Sequence, residues 1–390
     1  MTNDFPLPLA LRSSLFALCS LRFALCLYSL PLALCPDILA SQFTAPLIQT
    51  ILAVYSGRSY CLLKGKHGAM MSYPDKIAGQ RIVVTGGAGF VGSNVVRRLL
   101  TENARVVVLD DFYTGDDNNL PTGEPNLEVV RGSVTDYDLV RDVTAGASLV
   151  FHLAARNIIV STRNPREDYE VNIGGTLNVL LAARESNIPR VVYSSSTSVY
   201  GNPRYLPINE DDATNMLSPY AVSKFAGENY CKAFYESYGL SSAVVRYSNV
   251  YGTAQRPDNP YCGVVAKFFE SAMKGEPPRI HGDGEQTRDF TYIDDVVEAT
   301  LLAGISPKAD GQVYNVGTGR EVTVNQLART IIEITGANLE PAFVDRRDID
   351  NIRRRVVNIE KIRRELRWIP TFTVEQGLRR TYQWLKETSK

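Results

Sequence analysis

The chain reads as an α/β protein: a doubly wound parallel sheet with helices on both faces, followed by a smaller C-terminal α/β lobe. Three observations predict this. Residues 81–100, RIVVTGGAGFVGSNVVRRLL, set a short β-branched run, then glycines, then apolar residues at helical spacing. The same alternation of apolar strand and amphipathic helix repeats to about residue 250. Every motif able to carry chemistry falls at the carboxyl end of a predicted strand, where such sheets bind their ligands. After about residue 250 the rhythm loosens. Pro257, Pro260, Gly275, Pro277, Pro278, Gly282 and Gly284 punctuate short elements, including 322–335 and 374–387, that fit a lobe packed over the cleft.

The first strand, 82–85, runs straight into Gly86, Gly87, Gly89 and Gly92. Gly87, Gly89 and Gly92 satisfy G-x-G-x-x-G, and Gly86, Gly89 and Gly92 satisfy G-x-x-G-x-x-G. Glycine permits the tight strand-to-helix turn and lets a pyrophosphate approach bare backbone. The helix start then offers unpaired N–H groups and a positive dipole end. Such matches are weak alone, because ordinary βαβ turns also use glycine. Here a second strand, 106–109, ends in Asp110 and Asp111, and a carboxylate there can accept both ribose hydroxyls of an adenosine. It would repel a 2′-phosphate, which favours NAD over NADP. Strands then follow at 127–130, 149–153, 191–195 and 243–247, with helices at 169–185, containing Asn172, and 219–238.

With 390 residues the chain can hold one large domain or two modest ones. Lys+Arg and Asp+Glu both number 42, so no charge excess points to nucleic acid or another polyanion. Cys19, Cys26, Cys35 and Cys61 crowd the first 61 residues, while Cys231 and Cys262 stand far apart with no metal-ligand spacing. The body therefore reads as a reduced, cytoplasmic protein. Residues 15–34 are mostly apolar but carry Arg22 and Pro31, a poor membrane span that leaves an anchor open without favouring one. Translation from Met70 or Met71 is an alternative origin for the tract. The expected organisation is an N-terminal extension, 1–75, outside the fold, a dinucleotide-binding domain at 76–250 and a substrate lobe at 251–390, some of whose segments return to the first domain.

Tyr220 and Lys224 stand four apart in Ser218-Pro219-Tyr220-Ala221-Val222-Ser223-Lys224. Ser218 suits an N-cap and Pro219 the first helical position, so both side chains fall on one face of a helix start. A phenol near pKa ~10 is a poor base at neutral pH, and an ammonium held beside it favours the phenolate. Ser194, Ser195 and Ser196 end the preceding strand, where one hydroxyl can hold a substrate oxygen and others only satisfy the turn. His152, inside an apolar strand, fits a satisfied core histidine. Arg288, Arg347 and the run 353–355 can hold a diphosphate, although a solvated face accounts for at least one of the consecutive arginines. No metal-ligand set and no Ser-His-Asp arrangement stands out.

Together these residues resemble the extended short-chain dehydrogenase/reductase family, in its NAD-dependent nucleotide-sugar epimerase/dehydratase group with a UDP-glucose 4-epimerase-like pattern. The resemblance rests on TGGAGFVG (85–92), LDDFYTG (109–115), FHLAA (151–155), N-x-x-G-T-x-N (172–178), SSSTSVYG (194–201), YAVSK (220–224), RYSNVYG (246–252), RDFTYIDD (288–295) and YNVGTG (314–319). It implies a Rossmann domain holding NAD and a C-terminal lobe holding a nucleoside-diphosphate sugar. Tyr220 would be the base, Lys224 its partner and Ser196 the hydroxyl on the sugar. Gly86, Gly89, Phe90, Val91 and Gly92 would hold the pyrophosphate and Asp110 the adenosine ribose. Ser133 and Val134 would meet the adenine, and Leu153, Ala154, Ala155 and Asn172 would line the dinucleotide. Asn249, Arg288 and Arg347 would face the nucleotide-sugar, and two copies would form a homodimer.

Two departures accompany the resemblance. Ser133 stands where the family carries Asp, which weakens adenine hydrogen bonding there. The stretch 346–355 lacks the family's glycine. Within the group, dehydratases carry an Asp-Glu pair after the active hydroxyl and decarboxylases a Glu, whereas this chain has Thr197 and Ser198. Neither titrates near neutral pH. That favours a 4-epimerase acting on a UDP-hexose or UDP-hexuronate. A dehydratase, a 4-keto reductase and a non-catalytic NAD-binding protein are the alternatives.

Overall fold

Residues 81–85 are a mainly β-branched run buried almost throughout, as an inner strand of a sheet covered on both faces requires. In the computed structural model, which describes residues 76–259, 262–346 and 352–388, seven parallel strands form this sheet. They are β1 (Arg81–Thr85), β2 (Arg105–Asp110), β3 (Leu127–Arg131), β4 (Leu149–His152), β5 (Val191–Ser196), β6 (Ser242–Tyr247) and β11 (Gln312–Val316). Their order is β11-β6-β5-β4-β1-β2-β3, which reverses between β1 and β4. That reversal opens a crevice beyond the strands' carboxyl ends, the ligand position of a Rossmann sheet.

Each central strand buries both faces. Val84, Val106, Val108 and Phe151 pack into one core, and Val83, Val107, Leu109 and Val150 into the other. Both layers are covered by helices: α1 (Phe90–Thr101), α2 (Tyr137–Thr144), α5 (Gly175–Glu185) and α6 (Pro219–Tyr238) among them. Two short helices, α3 (Ile158–Arg163) and α4 (Pro165–Asp168), precede α5. Between α4 and α5 the expected single helix is interrupted by a π-turn, Tyr169–Gly174. Such wide turns re-aim side chains and recur at functional sites.

Past β6 the chain makes three two-stranded sheets: β7 (Asn249–Tyr251) with β10 (Phe290–Tyr292), β8 (Arg279–His281) with β13 (Ala342–Val344), and β9 (Thr287–Arg288) with β12 (Val322–Thr323). Helices α7 (Val264–Met273), α8 (Ile293–Ile305), α9 (Val324–Thr335), α10 (Glu360–Leu366) and α11 (Val374–Thr388) surround them. The segment 293–316 returns to the large sheet, because β11 pairs with β6 from Ala243 to Tyr247. Met71–Lys390 cluster as one compact unit. Among the described residues no helix is long and apolar enough to cross a membrane. The apolar tract 15–34 and Arg347 lie outside the described residues.

Candidate active site

The glycine turn after β1 has the geometry a phosphate cradle needs. Gly86 takes φ +69°, and a Cβ there would lie 2.6 Å from the Ala154 nitrogen. A Cβ on Gly92 would sit 2.0 Å from the Gly86 carbonyl oxygen. Helix α1 starts at an N-cap glycine, Gly89, with no side-chain cap and no acidic residue in its first turn. Its N–H groups and dipole are thus left for an anion. Gly92→Ala forces backbone apart, so we expect it to purify without bound dinucleotide and to lose about 1–3 kcal/mol of stability. Retained cofactor by absorbance and an unshifted melting curve would contradict this.

Gly86, Gly89, Phe90, Val91, Gly92, Asp110, Val134, Leu153, Ala154 and Ala155 come together around one cavity of about 260 Å³. Asp110, at the end of β2, accepts from the Ala88 and Phe112 backbone N–H groups, each at 2.8 Å, and is 7% exposed. Burial pushes its carboxyl up while those two bonds oppose the rise. Ser133 does not reach this cavity's wall. Its hydroxyl closes its own turn, accepting from Thr135 N–H at 3.2 Å.

The Tyr-Lys helix begins as expected, with Ser218 accepting from Ala221 N–H at 3.2 Å and Pro219 at the first position. Both side chains reach the end of β5. Lys224 is 3% exposed and its Nζ donates to the Ser194 carbonyl at 2.8 Å. Ser196 hydrogen-bonds the Tyr220 phenol and caps the next turn. Burial pushes Tyr220 up to about 12, the Ser196 bond opposing, and pulls Lys224 down to about 8. The other two serines are structural. Ser194 donates to the His152 carbonyl at 3.2 Å, and Ser195 donates to Glu228. His152 is a core group held between Thr85 (2.7 Å) and Thr176 (3.0 Å), with burial holding its pKa down at about 3.

Asn172, on the π-turn, clamps the loop that follows β4: its Oδ1 accepts from Arg156 N–H (2.7 Å) and its Nδ2 donates to the Arg156 carbonyl (3.0 Å). The Arg156 guanidinium in turn lines the 260 Å³ cavity and pairs with Asp111 and Glu167. A second cavity, of about 670 Å³, brings together Asn249, Arg288, Arg279, Arg346 and Arg353. Arg288 is 8% exposed, aimed by bonds to the Ile352 and Thr287 carbonyls at 2.8 and 2.9 Å. Of the consecutive arginines, Arg354 is exposed and paired with Glu321. A third cavity, about 400 Å³, shares Phe90, Thr114 and Asn157 with the first and Cys262 with the second, so the three form one cleft.

Sequence reasoning missed several supports of this cleft. Asp289 accepts from Thr318 N–H and Oγ1 and from Gly319 N–H, pinning the turn at 317–319. Arg246 and Glu228 form a buried bidentate pair (2.6 and 2.9 Å) behind Ser195. Asp168 joins α3, the π-turn and α6. Each was visible as a residue, but its partners are brought near by the fold, through the wide turn at 169–174 for Asp168 and through distant segments for the others.

The sheet order, the glycine cradle and the Tyr-Lys helix define an extended short-chain dehydrogenase/reductase. A profile of the NAD dependent epimerase/dehydratase family matches residues 82–317, and the chain belongs to that family. It is 38% identical over 315 residues to a UDP-glucose 4-epimerase from Mycolicibacterium smegmatis, covering 80% of this chain and all of the relative. A UDP-glucose 4-epimerase from Thermotoga maritima, solved with UDP-glucose, superposes with a TM-score of 0.76 at 37% identity, over 80% of this chain and 100% of that one. The Thermus thermophilus UDP-glucose 4-epimerase, solved with NAD, gives a TM-score of 0.72 at 34% identity, over 78% and 99%. The cofactor of this chain is NAD, and the cradle described above fits it.

Proposed function

We propose that the chain is an NAD-dependent nucleotide-sugar 4-epimerase that takes a UDP-hexose or UDP-hexuronate through a transient 4-keto sugar. The observation that carries this reading is the Ser196–Tyr220–Lys224 cluster, followed immediately by Thr197 and Ser198 rather than by carboxylates. Bound NAD supplies a hydride acceptor that later returns the hydride. Tyr220 takes the proton from the sugar O4, and Ser196 holds that oxygen. Lys224 contributes a positive charge beside the phenolate. Turnover of the keto sugar then needs no further acid or base, and Thr197 and Ser198 offer none.

In this reading Gly86, Gly89, Phe90, Val91 and Gly92 hold the pyrophosphate and Asp110 the adenosine ribose. Val134, Leu153, Ala154, Ala155 and Asn172 frame the rest of the dinucleotide, and Ser133, tied into its own turn, adds little to the adenine. Asn249 and Arg288 hold the nucleotide-sugar in the 670 Å³ cavity, and Arg347 is assigned to the same ligand from the sequence. Residues 76–250 serve as the cofactor domain and 251–390 as the substrate lobe. We place the enzyme in the cytoplasm as a homodimer, the latter supported by the exposed Val222 and Tyr230 on α6 and tested by sedimentation.

Products from UDP-glucose, UDP-glucuronate and their N-acetyl counterparts decide the reaction by mass. Equal mass with inverted stereochemistry is expected, and loss of water or carbon dioxide would overturn the reading. The pH profile follows from the ammonium. Because burial pulls Lys224 down to about 8, its charge is present at neutral pH and lost as pH rises through that value. We expect kcat to fall above about pH 8, and a flat profile to pH 10 would refute the role given to Lys224.

A further inference from the structure

Lys224 is a buried cation without a directly bonded carboxylate among the described residues, its one hydrogen bond going to the Ser194 carbonyl. On the neighbouring element lies its electrical opposite. Asp168 is 3% exposed, and among the described residues no arginine or lysine forms an ion pair with it. Its Oδ1 instead receives Ser161 Oγ from α3 (2.5 Å), Asn172 Nδ2 from the π-turn (2.6 Å) and Ser223 Oγ from α6 (2.9 Å). All three partners can donate to it, as an ionised carboxylate requires. Ser223 is the residue before Lys224, so the carboxylate is tethered to the helix that carries the ammonium.

The surroundings leave Asp168 as the available counter-charge. Around Lys224 stand Tyr220, Glu228 and Cys231 from α6, Tyr193 from β5 and His152 from β4. Glu228 is already neutralised by Arg246 at 2.6 Å. His152 is uncharged at neutral pH, and burial raises the Cys231 thiol out of its titrating range. Around Asp168, the nearby Arg156 guanidinium is taken up by Asp111 and Glu167. In a low-dielectric interior two such opposite charges bias each other without touching.

We propose that Asp168 is a positioning residue for the reaction: the counter-ion that keeps Lys224 charged and, through Ser223, holds the Tyr220–Lys224 helix at the cofactor. This rests on the acid–base roles given to Tyr220 and Lys224. The carboxylate acts on both groups in a way that fixes the sign of a test. Removing its negative charge makes the ammonium easier to deprotonate and the phenol easier to ionise. Both limbs of the kcat/KM profile therefore move to lower pH. A residue that merely packs the helices would lower activity or melting temperature without moving either limb.

The experiment compares NAD-loaded wild type with Asp168→Asn, Asp168→Glu and Ser223→Ala, each checked for melting temperature and bound NAD. Asp168→Asn is expected to shift both limbs down by roughly one pH unit. Asp168→Glu and Ser223→Ala, which keep the charge, are expected to leave the limbs in place. Unmoved limbs in Asp168→Asn overturn the proposal, as does an equal shift in Ser223→Ala. Should Asp168→Asn not fold, Asp168→Ser is the second neutral variant with the same expected shift. Failure of both to fold while Asp168→Glu folds assigns the carboxylate to stability alone and overturns the proposal. Tyr220→Phe separates the two readings: activity surviving that change removes the acid–base assignment itself.

Discussion

Tyr220→Phe is expected to lower kcat by ~10³-fold while leaving bound NAD in place, the loss typical of a removed general base or acid. The phenol is partly buried, bonded to Ser196 on the strand end, and its ring centroid lies 6.0 Å from Lys224 Nζ. Deleting one oxygen removes the proton acceptor without opening a cavity, so the fold and the glycine cradle stay intact. The measurement is single-turnover reduction of bound NAD, followed at the nicotinamide absorbance with saturating sugar nucleotide. Retention of more than a tenth of wild-type kcat would remove Tyr220 from the chemistry. A protein whose task was only to hold NAD would show no change in that task.

The largest expected loss of stability comes from Arg246→Met. Arg246 and Glu228 are 5% and 4% exposed in their side chains and meet through two bonds. The guanidinium also donates to Tyr200 Oη (2.7 Å) and to the Glu210 carbonyl (2.8 Å), and Tyr200 passes on to Asn315 of β11. Removing the arginine leaves Glu228 and its neighbours buried without their partner, which costs about 3–5 kcal/mol. Denaturant unfolding is expected to show a lower midpoint at unchanged slope. The double change Arg246→Met with Glu228→Met should recover much of the loss, since the stranded charge is gone. A single-variant loss below about 1 kcal/mol would show that the pair is dispensable.

Local chemistry was legible wherever one stretch of chain supplies its own reasons. Helix α6 runs over 219–238 as read, because Ser218 caps it, Pro219 opens it and Gly239 ends it at φ +68°. The glycine turn and Asp110 likewise carry their geometry in consecutive residues. The interruption at Tyr169–Gly174 was not legible, because Asn172 is committed by the Arg156 backbone, sixteen residues away. Apolar spacing from 169 to 185 reads as one helix whether or not a wide turn intervenes. Asp168 and Glu228 are hidden for the same reason: each looks like a solvated helix carboxylate until folding brings Ser161 and Ser223, or Arg246, against it. Arg288 was legible as a cation, but the carbonyls that aim it, Thr287 and Ile352, lie on segments whose meeting no local pattern announces.

The strand that closes the sheet at β6 is supplied by residues 312–316, after the chain has already passed through β7–β10, α7 and α8 of the substrate lobe. A protein ending near residue 250 would leave β6 with a bare row of amide and carbonyl groups, an open template for self-association. The two halves are therefore sewn together by their order of synthesis. A nascent chain cannot complete its large sheet until residues 251–311 of the sugar half have emerged, so the cofactor half is finished only after part of the pocket it serves.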